Sequence, residues 1–180
     1  MFDNNPKKRL YFFGIKLFPK EIKMNEDTEL LVRENKIISS MSRLYSLFDS
    51  LVHADGDVNQ VLYALYMEGG QTQKQISVNY CIPPQTVNNI VLSMQKKGIV
   101  TLKENPDDRR SKIIEFTESG LDFAEKQVGV LVSIEKKSVA RMGLENYKKM
   151  LELQELAYSS MKEELFLSFP AEKNGKTRKS

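Results

Sequence analysis

The chain has 180 residues, enough for one domain with appendages, and 41% of them are hydrophobic, so it can bury a core. Its single cysteine, Cys81, excludes an internal disulfide and any multi-cysteine metal site, and points to a reducing compartment. The net charge of +3 hides an alternation: residues 1–23, 71–116 and 171–180 are net basic, while 24–70 and 117–170 are net acidic.

That pattern fits one anion-facing surface on a scaffold that is not basic overall, although a scatter of solvated charges would also produce it. No run approaches the ~18 consecutive apolar residues of a membrane span. Lys and Pro interrupt the first residues too often for a signal-peptide core. The expectation is a cytoplasmic protein with no membrane partner.

In residues 1–23, Pro6, Gly14 and Pro19 break any helix, while Leu10, Phe12, Ile15 and Phe18 favour burial. A docking strand or short helix and a partner contact are both open readings. From Asp27 to Leu51 apolar residues recur at three-four spacing, which predicts a helix. His53 near its end reads as a capping or surface residue. After the break at 54–59 a second helix carries Val58, Val61, Leu62, Leu65 and Tyr66 inward and stops at Gly69-Gly70.

Thr72 and Gln75 have the spacing of a capping box, which starts a short helix with Ile76 and Val78. Pro84 suits the first turn of the next helix, which runs to about Lys97 with Val87, Ile90, Val91 and Met94 inward. Residues 99–104 and 111–117 read as two short strands around a turn at Asn105-Pro106. Thr117 is a candidate N-cap for a long helix to about Ala140, and Gly143 separates it from a last helix over 144–166. The final residues are expected to be disordered.

The fold class is therefore mainly α with a small β-hairpin wing: two helices joined by a tight turn and followed by the hairpin, a winged helix-turn-helix. Five divisions follow: an N-terminal extension (1–25), a dimerisation helix (26–55), the winged lobe (56–118), further dimerisation helices (119–167) and a basic tail (168–180). The last helix is apolar on a broader front than one small lobe needs, which favours a subunit partner.

The outer face of the helix at 84–97 carries Gln85, Thr86, Asn88, Asn89, Ser93 and Lys96. An α-helix fits the major groove of DNA, and Asn or Gln can hold adenine through two hydrogen bonds. The hairpin beside such a helix reaches the adjacent minor groove, where Arg gains from concentrated negative potential. Asp107 can orient Arg109, while Arg110 and Lys112 can meet phosphates.

Residues 72–120 resemble the DNA-binding core of the MarR (multiple antibiotic resistance regulator) family. The strongest part is the wing, Asp107, Asp108, Arg109 and Arg110, with Ser111, Lys112, Thr117 and Gly120 behind it. The stretch PPQTVNNIV at 83–91 before KKGIV at 96–100 supports it. The resemblance implies a homodimer whose first and last helices intertwine. It further implies a pseudo-palindromic operator in double-stranded DNA, usually repression, and in many members release by a small-molecule effector or by cysteine oxidation.

The expected DNA-binding residues are Thr72, Gln73, Gln85, Thr86, Asn88, Asn89, Ser93, Asp107, Arg109, Arg110 and Lys112. No cofactor or metal is expected. Three features depart from the family pattern. Cys81 stands where such turns often carry Gly, so the turn is strained if its φ is positive. Residues 1–23 are additional. Leu92 is apolar where a polar residue is common, and could face a pocket or a neighbouring helix.

An enzyme is disfavoured, because His53 and Cys81 lie in different elements with no third member marked, and no Gly-rich phosphate loop exists. Cys81 has two readings, an inert turn residue and an oxidant sensor near a helix N-terminus. The competing function is a winged-helix protein-interaction module without DNA binding.

Overall fold

The computed structural model describes residues 11–12, 15–16 and 25–169. The chain divides into two compact units, residues 1–54 and 55–180. In the first, β1 (Tyr11–Phe12) pairs antiparallel with β2 (Ile15–Lys16). What residues 1–23 dock against lies outside the described residues, as does most of the basic tail.

Helix α1 (Glu26–Leu51) starts at Asn25, whose side chain accepts from the Thr28 backbone N–H at 3.0 Å. Acidic Glu26, Asp27 and Glu29 follow in the first turn, where the helix dipole favours them. The apolar stripe is real, but among these residues only Phe48 is buried. His53 is exposed and left-handed (φ 53°) just beyond the helix end.

The second unit holds the core. Its buried residues come from every element of the lobe: Val61, Leu62 and Leu65 of α2 (Gly56–Glu68), Ile76 of α3 (Gln73–Asn79), Val87 and Val91 of α4 (Pro84–Lys96), and Val100 and Ile114 of the hairpin. Asp55 caps α2 by accepting from the N–H groups of Asp57 and Val58. The expected capping box is complete. Thr72 Oγ1 accepts from Gln75 N–H at 3.2 Å, and Gln75 Oε1 accepts from Thr72 N–H at 2.9 Å. Of the two apolar residues carried by α3, Ile76 is fully buried and Val78 is 66% exposed.

The sheet has three strands, not two, in the order β3-β5-β4. Strands β4 (Val100–Glu104) and β5 (Lys112–Phe116) form the wing hairpin, with Leu102 opposite Ile114. Strand β3 (Gln71–Thr72) adds to the other edge of β5. It is held by the buried Gln71 side chain, which donates to the Ala64 carbonyl at 3.1 Å.

The long helix expected from Thr117 is present but interrupted. α5 (Glu118–Ala124) passes through a π-helical turn (Glu125–Gly129) into α6 (Val130–Met142). Gly143, at φ 85°, then breaks the chain before α7 (Leu144–Ser168). No described residue of α7 is buried. No described helix is long and apolar enough to cross a membrane.

Candidate nucleic-acid interface

The site starts with how α4 is aimed. Residues Tyr80 to Pro83 form the turn between α3 and α4, and Ser77 Oγ closes it by donating to the Ile82 carbonyl at 2.7 Å. Cys81 sits in the turn with φ 53° and is exposed, so the strain foreseen for this position is present. Tyr80 anchors the turn to the end of α2 by donating its hydroxyl to Glu68 at 2.5 Å. Burial, and then the hydrogen bond and charge of Glu68, push the Tyr80 phenol above the ordinary tyrosine range.

From this fixed start α4 presents two faces. Val87, Ile90, Val91 and Met94 are buried, as expected. On the other side Gln85, Asn89, Ser93 and Lys96 are exposed, with Thr86 and Asn88 half-buried at the margins. Gln85 and Asn89 are not independent: Gln85 Nε2 donates to Asn89 Oδ1 at 3.0 Å. That bond leaves Asn89 its N–H donors, and leaves Gln85 an acceptor oxygen and a second N–H. Leu92 lies 45% exposed on the outer face.

The wing tip is closed by its own polar groups. Asn105 Oδ1 accepts from the Asp107 N–H and Asp108 Oδ1 from the Arg110 N–H, each at 3.0 Å. Asn105 also donates to Ser111 Oγ at 2.8 Å. Below the tip, Lys103 pairs with Glu115 at 2.5 Å and Lys112 with Glu104 at 3.5 Å. Asp107, Arg109 and Arg110 are exposed. Among the described residues no ion pair joins Asp107 to Arg109. The aspartate that organises the tip is Asp108, and it holds backbone rather than a guanidinium.

Thr72 is placed differently from an exposed contact. It is 9% exposed, and its hydroxyl is committed to Gln75. It sets where α3 begins, whereas Gln73 beside it keeps a partly exposed side chain. Lys74, next along α3, is exposed and was not among the expected contacts. Its signal was available, since a lysine in the first turn of a helix opposes the dipole and so asks for another reason to be there.

Apart from this surface, a cleft of about 780 Å³ lies against α2 and α6, lined by Tyr66, Met67, Gly129, Val132, Ser133 and Lys136. Tyr63 bridges the same two helices by donating to Glu135 at 2.9 Å. Among the described residues no group of three or more His, Cys, Asp or Glu is placed to hold a metal ion.

Residues 60–111 match the sequence model of the MarR family. A comparison with curated proteins finds no match. Among solved structures, a MarR family regulator from Neisseria meningitidis is similar at 23% identity with a TM-score of 0.65, over 81% of this chain and 99% of that one. The MepR regulator of S. aureus in its DNA-binding conformation is similar at 20% identity and 0.59, over 73% and 98%. NadR in complex with 4-hydroxyphenylacetate is similar at 15% identity and 0.54, over 79% and 96%. These structural likenesses establish the winged-helix fold that MarR regulators share. The family match runs from within α2 to the wing tip, and covers residues 72–111 of the stretch that carried the resemblance in the sequence. MarR family regulators are non-enzymatic transcription factors that bind DNA.

Proposed function

We propose that this chain, whose residues 60–111 are of MarR type, is a homodimeric repressor that reads a pseudo-palindromic operator and leaves it when a small-molecule effector binds. The observation that carries the DNA reading is the surface of α4 and the wing. A helix with a complete apolar inner face shows amides and hydroxyls outward, beside a loop that closes on itself and leaves Arg109 and Arg110 exposed. In this reading Gln73, Gln85, Thr86, Asn88, Asn89 and Ser93 meet base edges and nearby phosphates in the major groove. Arg109 enters the minor groove, and Arg110 and Lys112 meet phosphates. Thr72 and Asp107 serve the same surface indirectly, Thr72 by capping α3 and Asp107 by holding Arg109 once DNA is bound.

The homodimer is supported by the apolar faces of α1 and α7. Leu31, Ile38 and Leu44 on α1, and Leu153, Leu156 and Met161 on α7, are all more than half exposed. One or two such residues on a surface need no explanation, but two helices that keep almost none of their apolar side chains buried need a partner. Residues 26–55 and 119–167 are accordingly the dimerisation segments, around a reading lobe at 56–118. The cleft against α2 and α6, where Lys136 lies beside Tyr66 and Val132, is the seat we assign to the effector.

Fluorescence anisotropy with labelled duplexes at several salt concentrations tests the DNA reading. Wild type should bind with an affinity that falls steeply as salt rises, because phosphate contacts release counterions. Arg109→Ala should bind more weakly at every salt, most of all on duplexes with narrow AT-rich minor grooves. Equal affinity of Arg109→Ala and wild type would remove the wing from the account. No binding by either protein at low salt would favour the protein-interaction module.

A further inference from the structure

The outer face of α4 carries one side chain that hydrogen bonding does not explain. Leu92 lies seven residues after Gln85 and three after Asn89, and Lys96 lies four further on. At roughly 100° per residue these four positions fall on one narrow stripe along the helix. All four are exposed, and Leu92 is 45% so. It is not a core residue that missed its place, since Val87, Ile90, Val91 and Met94 already complete the opposite face.

A lone exposed leucine is tolerated on a solvated helix surface, but this one sits at the centre of the stripe proposed to read bases. A major groove gives it a partner. Its floor offers hydrogen-bonding edges at every base pair and one apolar feature, the 5-methyl group of thymine. The neighbours on the stripe suit the same setting. The Gln85–Asn89 bond fixes two amides, one two turns and the other one turn before Leu92, and Lys96 can reach a phosphate where the helix leaves the groove.

We propose that Leu92 is a specificity-determining residue that packs against the 5-methyl group of a thymine in the operator. This rests on α4 being the base-reading helix. It adds an A·T pair beneath the second half of α4, selected through its methyl group rather than through a hydrogen bond.

The test removes the methyl from the DNA and the leucine from the protein. Duplexes bound by the full chain are selected from a random pool, and each thymine is replaced in turn by deoxyuridine, which deletes the methyl and keeps every hydrogen-bonding group. Wild type should lose about fourfold in affinity at one thymine per half-site, the worth of one methyl group kept from water. Leu92→Gln, an exposed change to a good helix former, should bind that uracil duplex and its thymine parent equally. It should keep wild-type responses at the other thymines.

The proposal is overturned if no thymine methyl affects wild type, or if Leu92→Gln retains the same sensitivity. It is also overturned if Leu92→Gln binds every duplex as wild type does. Selection of no duplex at all by wild type would sink the DNA reading itself, and this proposal with it. That outcome is distinguishable from a protein that selects duplexes but ignores methyl groups.

Discussion

Gly120→Ala probes the joint between the wing and the helix that follows it. Thr117 ties the two together. Its N–H donates to the Ile99 carbonyl at 3.0 Å, its hydroxyl donates to the Gly98 carbonyl at 2.6 Å, and the same oxygen accepts from the Gly120 N–H at 2.9 Å. A Cβ on Gly120 would run into the Ile99 carbonyl oxygen, and that group is backbone, so no rotamer change relieves it. The first turn of α5 must then lift away from the start of β4. Losing the two bonds from Thr117 to the β4 side costs about 1 kcal/mol each. Residual overpacking adds about 1–3 kcal/mol, and Ala returns about 1 kcal/mol in helix propensity over Gly. The net expectation is a loss of roughly 2–4 kcal/mol on these terms. Urea denaturation followed by circular dichroism, at one fixed protein concentration because assembly contributes to apparent stability, reads it directly. A loss below about 1 kcal/mol, or a gain, would refute the claim that this close approach locks the wing. Measured where the variant remains folded, its DNA affinity should also fall, since the hairpin that carries Arg109 is displaced.

Gln85→Ala, Asn89→Ala and the double variant should be non-additive in DNA binding, with a coupling of about 0.5–3 kcal/mol, because each amide orients the other; additive losses in an anisotropy cycle would show two independent readers. Cys81→Gly should raise stability by up to about 1 kcal/mol by relieving the left-handed turn, and a urea midpoint at or below wild type would show that the turn holds no such strain. Tyr80 is pushed above its ordinary range, so it stays neutral when folded at a pH where the unfolded chain ionises it. Stability should therefore fall as pH rises past about 10. Tyr80→Phe should lower stability by about 1 kcal/mol at pH 7 and show a shallower alkaline fall; parallel pH curves would contradict the assigned role of the Glu68 hydrogen bond.

What the sequence made legible was local and periodic. The Thr72–Gln75 cap, the apolar stripe of α4, the stops at Gly69, Gly98 and Gly143 and the two strands of the hairpin each depend on residues a few positions apart, so spacing alone exposes them. What it hid depends on distant partners. Strand β3 exists because Gln71 and Thr72 find the edge of β5 some forty residues away, and two residues carry no strand pattern of their own. The π-helical turn at 125–129 leaves the backbone angles helical and the apolar spacing nearly intact, so periodicity passes over it. At the candidate site the face of α4 was readable from its wheel. The roles of Thr72 and Asp108 were not, because a hydroxyl or carboxylate near a turn can cap backbone as readily as reach outward.

The most direct test of the central claim is selection from a random duplex pool by the full chain at two salt concentrations, with the mass of the protein–DNA complex measured alongside. The account expects one enriched inverted repeat, with half-sites about one helical turn or a multiple of it apart, bound by two copies of the chain. Unselective retention of all sequences, or a complex containing a single copy, would contradict it.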